Sequence, residues 1–218
     1  MLIIRNTENK IKYFYALKPF RLGVEKNIKC FNPDIKTLNS KYKIINKNLK
    51  KYSSIFLKKI NLKYIVLCEN LSISGIGAAA IPDSVMKTLI LDIEFNKKYF
   101  ERVIHHEVFH IINDSFKEIF NENNWKNLNK KSFKYAKCST CTEKLDLSLY
   151  SETNGFLTEY SKTTPSEDMA EVFSYLMYNS DIIEEKIIYD NILNKKVSLL
   201  KNNILKIDEN FEFNDKKN

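Results

Sequence analysis

The chain has 218 residues, 44% hydrophobic and 12% aromatic. That is enough to build a substantial core, and it excludes a disordered chain. The net charge is +8, carried mostly by lysine with arginine scarce. Readers of phosphates and bases lean on arginine, so this composition describes a lysine-rich soluble surface and disfavours a nucleic-acid partner. No run of about 18 apolar residues exists, so no membrane span is expected. The first ten residues, M-L-I-I-R-N-T-E-N-K, lack the apolar stretch of a secretory signal. The chain therefore reads as cytoplasmic, exported by a route not written at its N-terminus, or stripped of a leader.

Residues 1–30 mix short apolar runs with charges and define no clear element. Asn32-Pro33-Asp34 predicts a helix start, with Asn32 as cap, Pro33 at the first helical position and an acid in the first turn. The stripe Ile35, Leu38, Tyr42, Ile45 and Leu49 carries that helix to about residue 58. Tyr64–Cys68 predicts a buried strand. The alternating stretch Leu71–Ile81 holds Gly75 and Gly77, which in a strand suggest a bulge or the close approach of another backbone. Pro82-Asp83 predicts a turn, Thr88–Ile93 a strand, and Asn96–Phe116 a helix.

From 117 to 160 the chain is polar and aromatic, with loop signals at Asn121–Asn124 and Asn154-Gly155. Thr164-Pro165 opens a helix running to about Asn179. Ser180-Asp181 caps a last helix with the stripe Ile187, Ile188, Ile192, Leu199, Leu200 and Leu205. The tail Asn214–Asn218 should fray. The expected architecture is one α+β domain over 1–218 in two lobes with a cleft between them. The first lobe, about 1–116, holds a small mixed sheet and a central helix; the second, about 117–218, is mainly helical.

His106-Glu107-Val108-Phe109-His110 is H-E-x-x-H, and all three histidines of the chain fall between 105 and 110. Residues four apart share a helix face, so His106 and His110 can present two imidazoles to one zinc ion. Glu107 flanks that face, where a general base acts on water. His105 points about 100° away and reads as a surface or structural residue. Asp114, four residues after His110, is a candidate outer partner.

A hydrolytic zinc site needs a third protein ligand, and no histidine is left to supply it. Cys138 and Cys141 form one C-x-x-C, to which Cys30 and Cys68 add no second, so a four-cysteine zinc ribbon is disfavoured. A short-loop disulfide and two reduced thiols both remain open for Cys138 and Cys141. Thiolate-rich zinc sites are mostly structural, which favours a carboxylate as third ligand. Thr164-Pro-Ser-Glu-Asp-Met-Ala-Glu171 offers Glu167, with Glu171 one turn later as a hydrogen-bond acceptor for a ligand imidazole. Thr164-x-x-Glu167 also fits a capping box, and sequence alone leaves the two readings even. Asp168 faces elsewhere, where the positive end of the helix suffices to explain an acid.

Leu157-Thr-Glu-Tyr160, Glu167 and Ala170-Glu171-Val-Phe173, with H-E-x-x-H upstream, resemble the anthrax lethal factor catalytic domain and the clostridial Pro-Pro endopeptidases. These are gluzincin-type zinc metallopeptidases with a zincin-like fold. The resemblance spans roughly residues 60–205, and its identity is confined to the two motifs. It departs at Phe109, where the family often has glycine, and at the Cys138–Cys141 loop. It implies one catalytic Zn2+ on His106, His110 and Glu167, Glu107 as general base, Tyr160 as oxyanion donor, and a protein or peptide substrate. Such a substrate would lie extended across the cleft, with Gly75, Ile76, Gly77 and Ala78 as an edge strand pairing with it. An ordinary sheet bulge explains the same glycines equally well. The competing function is an inactive zinc-containing binding or adaptor protein. A structural zinc, however, needs four closed ligands and leaves Glu107 and Tyr160 without a use.

Overall fold

The computed structural model describes residues 2–6, 9–23, 25–141 and 146–213, which form eight strands of one mixed sheet and seven α-helices. The tail Asn214–Asn218 lies outside the described residues. The chain divides into two units, Met1–Ile111 and Ile112–Asn218. In the first, β1 (Leu2–Asn6), β2 (Lys12–Tyr15), β3 (Phe20–Leu22) and β4 (Ile28–Phe31) occupy the stretch whose sequence defined no element. There follow α1 (Ile35–Leu49), α2 (Ser54–Lys59), β5 (Tyr64–Ile73), β6 (Ile76–Gly77), β7 (Ala80–Asp83) and β8 (Thr88–Asp92). Helix α3 (Phe100–Ser115) crosses the boundary. The second unit holds α4 (Glu122–Lys126), α5 (Pro165–Tyr178), α6 (Ser180–Tyr189) and α7 (Asn191–Ile207).

Strand β5 is the spine of the sheet. Its first half pairs in parallel with β2 on one side and β8 on the other. Parallel strands are covered on both faces, which is why Ile65, Val66, Leu67 and Cys68 form an unbroken buried run. Its second half turns antiparallel partners, β4 and β6. Ser74 and Gly75, with φ of 50° and 86°, close the two-residue turn from β5 into β6. Two successive positive φ values define the turn that matches sheet twist, so Gly75 is a hairpin corner and not a bulge within a strand. Pro82 and Asp83, expected as a turn, lie inside β7. Among the described residues that strand pairs only with β8, and an edge strand accommodates proline.

Caps explain the remaining differences. Asp34, not Asn32, caps α1, its carboxylate accepting from the Thr37 N–H at 2.9 Å. The helix then stops at Leu49, because Ser53 caps a separate α2 through the Phe56 N–H. Asn96 closes a turn by accepting from the Lys98 N–H, so α3 begins at Phe100. Asp190 caps α7 by accepting from the Ile192 and Leu193 N–H groups, which splits the expected last helix in two. The split shifts the buried face to Leu193, Val197, Leu200, Ile204 and Ile207 and leaves Ile188 72% exposed.

Cys30 and Cys68 are disulfide-bonded, joining β4 to β5 inside a cluster of Ala16, Val66, Leu71, Ile81 and Ile90. Cys138 and Cys141 form the second bridge. The first spans 38 residues of sequence, so it removes considerable loop freedom from the unfolded chain. Replacing both Cys30 and Cys68 by alanine should cost about 3–4 kcal/mol of unfolding free energy. Denaturant titration of the double variant beside the wild type measures this.

Candidate metal centre

Helix α3 is packed on most sides, with Ile104, Val108, Phe109, Ile111 and Ile112 all buried. Polar groups on such a helix need partners. His105 is fully buried and its partners are all in the first unit. Its Nδ1 lies 2.6 Å from the Tyr52 hydroxyl and its Nε2 3.0 Å from Asn48 Oδ1. The Asn48 amide orientation is set by its donation from Nδ2 to Ile44 O and Glu101 Oε2, both at 2.9 Å. Asn48 Oδ1 is therefore an acceptor, His105 carries its hydrogen on Nε2, and Nδ1 accepts from Tyr52. Burial, reinforced by the Lys51 charge, holds the His105 pKa well below its usual value and keeps the ring neutral. His105 is a structural clamp on α3.

The next residue starts the site. His106 is buried, and Glu107 and His110 are half-buried. The Nε2 atoms of His106 and His110 stand 3.2 Å apart. Two nitrogens at 2.0–2.1 Å from a tetrahedral zinc would be separated by about 3.4 Å, so the pair fits that ion. Glu167 joins them: one ligand atom from each of His106, His110 and Glu167 lies within 4.8 Å of the others. Two imidazoles and a carboxylate form a donor set suited to zinc, and this group could hold a metal.

Helix α5, which carries Glu167, opens at the expected place. Thr164 caps it, its hydroxyl accepting from the Glu167 N–H at 3.2 Å, and Pro165 takes the first helical position. Threonine capping and the convergence of the Glu167 carboxylate with the histidines coexist, so the two sequence readings do not compete. Glu171 has no exposed surface and accepts from the Thr158 hydroxyl at 2.6 Å. Tyr160 is half-buried in the short 3-10 turn Tyr160–Lys162, with its N–H bonded to Asp146 O at 3.1 Å.

The remaining candidates lie at or near the surface. Asp114 is exposed and pairs with Lys117 at 3.3 Å. Gly75, Ile76 and Gly77 are exposed on the β5–β6 hairpin, and Ala78 is half-buried at its foot.

Asp168 needs more than the helix terminus expected for it. It is fully buried, and its Oδ2 accepts from Lys196 Nζ at 2.6 Å, Tyr135 OH at 2.6 Å and Trp125 Nε1 at 2.8 Å. Lys196, also without exposed surface, donates to Gly155 O at 2.7 Å and lies 3.9 Å from the Phe156 ring centroid. Burial pushes the Asp168 carboxyl up and the Lys196 amine down, while their mutual attraction opposes both. With three donors converging on one oxygen, the surroundings solvate the carboxylate form. Neither Thr158 nor Lys196 was identifiable from sequence, because each acts across a gap in the chain with no local spacing rule.

His106 and His110 on one helix, with Glu167 on a second, thus make up a group that could hold a metal ion. Residues 56–210 match the family described as "Putative zinc-binding metallo-peptidase", and the chain belongs to that family. Among solved structures, the chain is similar to a protein from Bacteroides caccae described as "a putative zinc-binding metallo-peptidase". The TM-score is 0.55 at 19% identity, over 91% of this chain and 80% of that one, which shows the shared fold. No curated protein matches the chain.

Replacing Lys196 by methionine strands a buried carboxylate beside Glu167. The expected loss is about 3–5 kcal/mol of stability. Removing both charges, as Asp168→Leu with Lys196→Met, should recover most of it. Thermal and denaturant unfolding of the two variants provide the comparison.

Proposed function

We propose that this protein is a zinc-dependent endopeptidase of the gluzincin type, similar in its motifs to the lethal factor catalytic domain. The carrying observation is the convergence of His106, His110 and Glu167 within 4.8 Å, with Glu107 next to the first ligand on the same helix. When bound there, one zinc ion would supply a Lewis acid and bring the pKa of water to about 7. His106, His110 and Glu167 would hold it, and Glu171, tied to Thr158, would orient a ligand imidazole. Glu107 takes the proton of the attacking water and returns it to the leaving amine. Tyr160 donates its phenol hydrogen to the oxyanion that develops on the peptide carbonyl. The exposed edge of β6 offers Ile76 and Gly77 for main-chain pairing with an extended peptide.

Three variants test these roles on a peptide library with zinc content measured in parallel. Glu107→Gln should keep zinc and lose cleavage; full activity in it removes the proposed mechanism. Glu167→Ala should lose zinc, and a fully loaded variant would show that another residue is the third ligand. Tyr160→Phe should keep zinc and lower kcat about a hundredfold to a thousandfold, the usual worth of an oxyanion donor.

A further inference from the structure

A cavity of about 520 Å³ lies in the second unit, lined in part by Lys126, Lys134, Tyr135, Lys137, Thr164 and Pro165. We infer that it is a specificity pocket for an acidic side chain of the peptide substrate, an inference that rests on the proposed peptidase activity.

Charge is the first argument. One carboxylate, Glu122, also lines the cavity, and it is already paired with Lys126 at 3.3 Å. Lys134 and Lys137 are exposed and have no carboxylate partner among the described residues. The lining therefore keeps an excess of positive charge. The first residues of α5, a 14-residue helix, add the partial positive charge of a helix N-terminus from the same side. The carboxylate beneath, Asp168, does not oppose an incoming anion, because Lys196 compensates it inside the core.

Preorganisation is the second argument. The Tyr135 hydroxyl donates to Asp168 Oδ2 at 2.6 Å and accepts from Asn129 Nδ2 at 2.9 Å, which fixes the wall of the cavity to buried structure. The Cys138–Cys141 bridge begins at the residue after Lys137 and restrains the loop that presents it. A wall held in this way loses little entropy when it binds.

Position is the third argument. Thr164 and Pro165 precede Glu167 by three and two residues, a distance of about 3–5 Å along the helix axis. On this proposal, a peptide held at the Glu167 turn would pass Thr164 and Pro165, which line the pocket. The size is right for a side chain with its solvation, since binding cavities run from about 300 to 1,000 Å³.

Trp125, the sole tryptophan, precedes Lys126 and donates its indole N–H to Asp168, so its fluorescence reports on this pocket. Zinc-loaded Glu107→Gln protein is titrated with short peptides carrying glutamate or glutamine at each position in turn. One position should show at least about tenfold tighter binding of glutamate, weakened by salt. That preference should vanish in Lys134→Glu with Lys137→Glu. Equal binding of both peptides at every position overturns the inference, as does a preference that survives the double reversal. Inorganic phosphate binding as tightly as the best peptide also overturns it, since the pocket would then serve a free anion. Wild-type cleavage of the same peptides separates the two readings. Cleavage with no glutamate preference removes the pocket alone. Lysine-dependent glutamate binding with no cleavage anywhere removes the peptidase and leaves the pocket.

Discussion

A carboxylate taken out of water stays charged only if donors or cations replace the solvent it lost. Helix α5 places three carboxylates, Glu167, Asp168 and Glu171, within five residues of an otherwise apolar, buried helix. Each needs its own answer. Asp168 finds an ammonium, a phenol and an indole N–H. Glu171 finds the Thr158 hydroxyl. Glu167 is directed to the ring nitrogens of His106 and His110. A divalent cation there would complete the pattern, giving the third buried acid the positive charge that Lys196 gives the second. The arrangement is self-consistent because adjacent residues on a helix point about 100° apart, so the neighbouring acids serve separate partners.

The same rule governs α3 with the opposite solution. His105 is neutralised by burial and tied through both ring nitrogens to Tyr52 and Asn48. The clamp sits one residue before the first candidate ligand. It fixes the rotation of α3 about its axis, and with it the direction in which His106 and His110 face. A ligand imidazole gains affinity when its orientation is set before the ion arrives. The chain from Tyr52 through His105 and Asn48 to Glu101 supplies that from the first unit alone.

What could be read in the sequence follows from the range of the interactions. H-E-x-x-H was legible because its geometry is set by one helical turn, and the Thr164-Pro165 start because a cap and a proline act within three residues. The buried strand at Tyr64–Cys68 was legible because a two-sided parallel strand has no polar face. The caps at Ser53 and Asp190 were missed because an apolar stripe runs across each, and periodicity does not register a break of one or two residues. Nothing in the sequence around Lys196 marks it off from the other lysines. Its role depends on Asp168, 28 residues away, and on Gly155, 41 residues away, which no local pattern encodes. The Cys30–Cys68 bridge was hidden for the same reason: its partners meet only through the pairing of β4 with β5.

That bridge also bears on the choice between a catalytic and a structural metal. A closed structural zinc site takes four protein ligands, usually with thiolates among them. All four cysteines are committed to disulfides, so no thiolate is on offer. The third histidine is turned into the core by Tyr52 and Asn48. The acids that flank Glu167 are held by Lys196 and Thr158. The thiolates, the third histidine and the two acids nearest Glu167 in sequence are thus engaged elsewhere, and the group that could hold a metal has three members among the described residues. Under the proposed function, three protein ligands would leave one tetrahedral position for water, with Glu107 one residue from His106. These fixed partners support the proposed hydrolytic role, because a structural site would draw its fourth ligand from residues of those kinds.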